Sequence, residues 1–170
     1  MKKFSLFIVL AISLLFITNV QAENCYIPMN LSFEQIVGYF DAYFTFKTYT
    51  DTKGYERYVG SLYDNSMIME ITGPKENICQ AKLMINSHTS YEKFQQNIMA
   101  IPFFIQNSNQ EYWIENKEDK FMFVILVLQN LFSTMEEQVI RAEDKIIIFN
   151  CYPDVVIVTI EQADCRGPKP

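Results

Sequence analysis

Between Tyr55 and Ile85 short apolar runs alternate with residues that stop them. The breaks are Asp64-Asn65 and Gly73-Pro74-Lys75-Glu76-Asn77. Asp and Asn tolerate positive φ, so the first break reads as a tight hairpin. In the second, Gly admits unusual backbone angles and Pro cannot donate to a ladder. The stretch therefore predicts a three-stranded antiparallel meander. Gln138–Glu161 has similar punctuation: a strand, Glu143-Asp144, the strand Lys145–Asn150, Cys151-Tyr152-Pro153-Asp154, and the strand Val155–Ile160. A helical pattern precedes each meander. The expected fold is α+β in the order α-βββ-αα-βββ. It has one antiparallel sheet of about six strands, made of two three-stranded meanders, packed under a helical layer. The correspondence between the halves rests on turn placement, not on residue identity.

The helical patterns carry start signals. Ser32 and Gln35 have capping-box spacing, and Leu31 and Ile36 that of a hydrophobic staple. This predicts a helix to about Ala42 with Phe33, Ile36, Val37 and Phe40 on one face. Thr89-Ser90-Tyr91-Glu92 opens a second, with Phe94, Ile98, Ile101 and Ile105 at helical spacing and Pro102 a stop or kink near Ile101. Tyr112-Trp113-Ile114 is expected to start a short helical turn. Phe121–Leu128 is eight apolar residues in a row, which fits a buried strand or a buried helix. Extended to Met135, the series Phe121, Ile125, Leu128, Phe132, Met135 favours the helix. In Ile78–Ile85, Cys79, Ala81, Leu83 and Ile85 take one face and Gln80 and Lys82 the other, as in a sheet solvated on one side. Tyr43–Gly54 has no clean period and is expected to be extended or loop.

The first residues read as a leader. Lys2 and Lys3 precede the apolar run Phe4–Val20, and Val20-Gln21-Ala22 follows, which is the pattern of a secretory signal peptide cleaved after Ala22. The run is short of a spanning helix and contains Ser5, Ser13, Thr18 and Asn19. Ala22-Glu23-Asn24 is not the small-residue lipobox that lipidation of Cys25 would need. The expected organisation is a leader over residues 1–22, one domain over 23–165 and a tail over 166–170. The location is the periplasm or the secreted space, without stable membrane insertion after cleavage. Four cysteines in an exported chain predict two disulfides. Cys25 and Cys165 bracket the domain near its ends, which favours Cys25–Cys165 and Cys79–Cys151. Asn30-Leu31-Ser32 matches a glycosylation sequon, but Ser32 is spoken for by the helix cap.

Composition excludes several functions. The net charge is −6, and more negative once Lys2 and Lys3 leave with the leader. That is the wrong sign for nucleic acid or an anionic membrane. One histidine and no Cys-x-x-Cys leave a zinc site or thioredoxin-like centre without ligands, and no cofactor or metal is expected. His88, in Asn86-Ser87-His88-Thr89, reads as an exposed loop residue. Pairing it with Ser87 or a cysteine as base and nucleophile lacks any supporting motif. The acidic clusters Glu115-Glu118-Asp119, Glu136-Glu137 and Glu143-Asp144 fall near helix ends or in a turn, where carboxylates are solvated.

Aromatic residues are the unusual feature, with nine between Tyr39 and Tyr63. Phe at regular spacing fills cores, whereas Tyr is enriched in recognition surfaces. Tyr49, Tyr55 and Tyr58 lie in or beside the unpatterned stretch and are the binding-surface candidates. The leading expectation is an exported non-enzymatic protein that binds another protein or an envelope component. One alternative is a carrier holding a small apolar ligand between helices and sheet. A second is a carboxylate-based hydrolase, with no catalytic residue assignable.

Overall fold

The computed structural model describes residues 26–108, 117–142 and 144–166. Among the described residues there are four α-helices, α1 (Phe33–Val37), α2 (Tyr91–Ile98), α3 (Ala100–Ser108) and α4 (Lys117–Thr134). Seven strands follow the order β1 (Thr45–Thr50), β2 (Glu56–Ser61), β3 (Met67–Thr72), β4 (Gln80–Asn86), β5 (Gln138–Ala142), β6 (Lys145–Tyr152) and β7 (Val155–Gln162). They form one antiparallel sheet, ordered β1-β2-β3-β4-β7-β6-β5. The α+β class is as expected, and the strand count is not. The additional strand is β1, inside the stretch that carried no period. It is an edge strand with five of its six residues exposed, so neither face imposes an apolar alternation. The leader, Cys25, Tyr112-Trp113-Ile114, Glu115, Glu143 and Gly167–Pro170 lie outside the described residues. Arg166, placed in the tail by sequence, ends a 3-10 turn, Ala163–Arg166.

Local chemistry sets the elements. Ser32 and Gln35 exchange both capping-box bonds, at 3.2 and 2.8 Å. The helix they start is shorter than its apolar pattern predicts. Gly38, at φ +43°, ends α1, and a 3-10 turn, Gly38–Ala42, carries the chain on. A Cβ at Gly38 would lie 2.5 Å from Asn107 Nδ2, and that amide donates to the Ile36 carbonyl at 3.3 Å. The end of α1 is thus satisfied by a side chain of α3, which requires the close approach only glycine allows. Asn65 takes φ +55°, and the Asp64 carboxylate accepts from Ser66 N and Oγ, as the hairpin signal predicts. Ser90, not Thr89, caps α2. The helix is interrupted at Met99, and Pro102 falls in the first turn of α3, where the missing N–H has no helical acceptor to lose.

The core lies between the helices and one face of the sheet. Cross-strand partners share a face, so Met69, Leu83, Val158 and Phe149 form one inner row, and Tyr58, Ile71, Ala81, Ile160 and Ile147 the next. Ile101, Phe104 and Ile105 of α3 and Val124, Leu128 and Leu131 of α4 are buried in the same core. The stripe on α4 is not the expected one. Phe132 and Met135 are exposed, Ile125 is half-buried, and the side chain of Phe121 is outside the description. Eight consecutive apolar residues offer every stripe equally, so the facing layer chose. Among the described residues no helix is long and apolar enough to cross a membrane.

The outer face departs from the solvated surface expected of it. Glu70, Thr72, Gln80, Thr159 and Glu161 are all buried there. Each carboxylate is compensated. Glu70 pairs with Arg57 on β2 and lies 4.0 Å from Lys82 on β4, and Glu161 accepts from Gln80 Nε2 at 2.6 Å. Burial of such groups is tolerated because partners stand on the neighbouring strands.

Gly60 tests the packing between β1 and β2. It faces Phe46, and a Cβ there would lie 2.5–2.8 Å from ring atoms of Phe46. That ring is itself held between Phe33 and Phe44, with centroids 5.2 and 6.0 Å away, so it has little room to yield. Gly60→Ala is expected to cost about 1–3 kcal/mol by overpacking. Combined with Phe46→Leu it should cost less than the sum of the two single changes, measured by urea unfolding. Additive costs would show that the ring is not the obstacle.

Candidate functional site

The three candidate tyrosines do not form one surface. Thr48, not Tyr49, pairs with Tyr58, so Tyr49 and Tyr58 stand on opposite faces of the sheet. Tyr58 is 6% exposed, packs against Phe33 and donates to the Glu56 carboxylate. It is a core residue. Tyr55 is half-buried, stacked on Tyr26 with centroids 3.7 Å apart. Their contact is part of a clamp on the β1–β2 hairpin: Asp51 accepts from the Lys53 and Tyr55 N–H groups and from the Tyr26 hydroxyl. Burial works to raise the Asp51 carboxyl, but these hydrogen bonds and the Arg57 charge outweigh it and hold the group below its ordinary range. Tyr49 alone is open, at 51% exposure on the outer face of β1.

A different aromatic group reaches the surface together. From Tyr58 a chain of ring contacts runs through Phe33, Phe46, Phe44 and Phe40 to Tyr39. Tyr39 touches Tyr43 and Phe103, with centroids 5.1 and 6.2 Å apart. These last three are 62%, 55% and 52% exposed. The 3-10 turn builds the cluster. It buries Phe40 and Phe44 and leaves Tyr39 and Tyr43, four residues apart, outside, with their hydroxyls 2.9 Å apart. That hydrogen bond and the neighbouring phenol push the Tyr39 hydroxyl above its ordinary value. The cluster offers ring faces and two hydroxyls, which suits contact rather than acid–base chemistry. Sequence reading missed it for two reasons. Gly38 replaces the expected helical register, and Phe103 comes from α3. The pair Tyr39 and Tyr43 flanking Phe40 was the available signal.

The other candidates resolve into structural roles. His88 is exposed as expected, with Nε2 2.6 Å from Asp154 of the β6–β7 turn. Ser87 Oγ donates to the Pro153 carbonyl at 2.9 Å, so it ties the same two loops together. Of the acidic clusters, Glu136 and Glu137 are exposed before β5, and Asp144 accepts from Lys145 and Gln162. The buried pair, Glu70 and Glu161, was not singled out by sequence, and β4 separates them, each with its own partner. Where a carrier would place its ligand, Met29, Met69, Phe104 and Phe149 fill the core with no exposed surface.

The cysteines correct one expectation. Cys79 and Cys151 are free thiols. Cys79 precedes Gln80, which pairs with Glu161, whereas Cys151 pairs with Val156, which pairs with Ile85. They therefore sit near opposite ends of the strands, roughly 20 Å apart along the strand direction. A disulfide spans about 7 Å between Cα atoms at most. Sequence gave no sheet order from which to see this. Burial pushes the Cys79 thiol above its ordinary value, and its Sγ lies 3.4 Å from the Tyr26 carbonyl.

No protein-family model, curated protein or solved structure matches this chain.

Tyr58 carries a pH signature. Burial first, then the hydrogen bond and negative charge of Glu56, raise its hydroxyl well above the ordinary value near 10. The folded state keeps a proton that the unfolded chain releases above that value. Stability from this residue is constant below about pH 10 and falls as pH rises further. Tyr58→Phe should remove that part of the alkaline decline, read as a smaller loss of urea midpoint between pH 9 and pH 11 than in the parent protein. Equal losses would place the phenol in solvent.

Proposed function

We propose that this is an exported, non-enzymatic protein that holds a partner, another protein or an envelope component, on the cluster Tyr39, Tyr43 and Phe103. The observation that carries the reading is that these three large aromatic side chains are each more than half exposed, with Tyr39 packed against both of the others. Leaving that much apolar ring in water has a cost, and such residues are the common anchors of protein contacts. The ring chain beneath them ties the cluster to the core, so it is held in one geometry before the partner arrives.

The test separates anchor from packing. Tyr39→Ala combined with Phe103→Ala removes two exposed ends of the ring chain, so the melting temperature should change by no more than about 2 °C. Affinity capture from the native compartment should fall at least about fivefold, the equivalent of 1 kcal/mol per anchor. A variant that melts early, or one that captures as well as its parent, removes the proposal.

Export belongs to the same reading. The leader pattern, Lys2 and Lys3 before the apolar run Phe4–Val20 and then Val20-Gln21-Ala22, supports cleavage after Ala22 and a periplasmic or secreted location. Cys25 is the proposed partner of Cys165. The purified mature protein should begin at Glu23 and carry a peptide linking Cys25 to Cys165. Its mass should be lower by two hydrogens, with Cys79 and Cys151 open to alkylation on unfolding. Retained Met1, or a Cys79–Cys151 peptide, would contradict it.

A further inference from the structure

The sheet has two edges, and they are not alike. The residues of β5 are half-buried except Arg141 and Ala142, and Asn130 of α4 reaches Gln138 at 3.0 Å. By contrast β1 is bare, six residues long, without proline, and pairs residue for residue with β2. Natural edges are usually blunted by charge, proline, bulges or a covering element. Here the only charged residue is Lys47.

The direction of the free backbone groups follows from the hairpin. Asp51 N donates to the Tyr55 carbonyl, and bonding alternates along an antiparallel pair. Tyr49, Lys47 and Thr45 therefore bond to β2, and Thr50, Thr48 and Phe46 turn their N–H and C=O groups outward. The parity on β2 agrees, since the Glu56 carbonyl accepts from Gly73 and Leu62 donates to Met67 on its other side. Among the described residues these outward groups have no partner.

We propose that β1 pairs antiparallel with β1 of a second copy of this chain, with a two-fold axis at Thr48, joining the two seven-stranded sheets. The three outward residues are centred on Thr48. Only this register brings all three of each strand opposite outward residues of the other: Phe46 against Thr50, Thr48 against itself, Thr50 against Phe46. It also places Lys47 of each copy across from Tyr49 of the other, both exposed on the outer face, in the non-hydrogen-bonded positions where side chains approach most closely. An ammonium over a phenol ring is a favourable contact. The register two residues lower would set Lys47 against Lys47, a like-charge clash. The edge is thus complementary to itself in one register. It is separate from the aromatic cluster, so the Tyr39→Ala/Phe103→Ala variant should dimerise like its parent.

Sedimentation equilibrium of the purified full-length mature protein should show a concentration-dependent dimer. Thr48→Pro removes an outward N–H that β2 does not use, and edge strands tolerate proline there. It should raise the dimer dissociation constant at least about tenfold, the loss of one or two hydrogen bonds, with an unchanged far-ultraviolet circular dichroism spectrum. Should that variant misfold, a charge exchange decides instead. Tyr49→Lys should weaken the dimer, and Lys47→Glu added to it should restore it. Oxidised Thr48→Cys should give a covalent dimer linked between the introduced thiols, since hydrogen-bonded pairs stand about 5.5 Å apart at Cα. A protein that stays monomeric at millimolar concentration would overturn the proposal. So would a dimer indifferent to all of these changes, or an edge that pairs only with strands of other proteins.

Discussion

The fold depends on the pairing of β4 with β7. It joins a four-stranded meander to a three-stranded one, and without it each would be a small sheet with half a core. The register runs from Gln80 opposite Glu161 to Asn86 opposite Val155. On the inner face it sets Ala81, Leu83 and Ile85 beside Ile160, Val158 and Val156, all buried. A slip of β7 by one residue would turn Ile160, Val158 and Val156 outward and bring Glu161 into the core. The Gln80–Glu161 hydrogen bond on the outer face penalises the same slip, because either group buried alone would lose its partner. Hydrophobic burial and polar pairing thus select one alignment from opposite faces.

The sequence made some of this plain and hid the rest, for reasons that differ by element. Turn residues act locally, so the breaks at Asp64-Asn65, Gly73-Pro74 and Pro153-Asp154 were all legible. The capping box at Ser32 and the inner face of β4 were legible for the same reason. β1 was hidden because an exposed edge has no apolar alternation to show. The stripe of α4 was hidden because Phe121–Leu128 is apolar at every position. The buried polar strip was hidden because its partners, Arg57 with Glu70 and Gln80 with Glu161, meet only once strand order is known. The same ignorance of strand order produced the Cys79–Cys151 pairing.

The aromatic stretch was recognised as unusual, yet divided wrongly. Reading Tyr as surface and Phe as core placed Tyr58 outside, where it is buried. Tyr58 is turned inward by the register of β2, whereas Tyr39, Phe40 and Tyr43 take their sides after Gly38, whose positive φ turns the chain between α1 and the 3-10 turn. One backbone conformation therefore precedes the split between the buried Phe40 and the exposed Tyr39 and Tyr43.

The segment before α1 gives the molecule an order of assembly. Tyr26 stacks on Tyr55 and bonds to Asp51, Met29 N donates to the Ile78 carbonyl, and the Pro28 carbonyl accepts from Gln162. The last contact spans 134 residues. A chain made from its N-terminus onward exposes this strap first and acquires its final partner last. Until β7 arrives, β4 is also an open, largely apolar edge. Such non-local closure is slow and leaves the half-made chain prone to wrong pairing. The completed structure is therefore available only to a finished chain, and a partial product has no stable way to stop early.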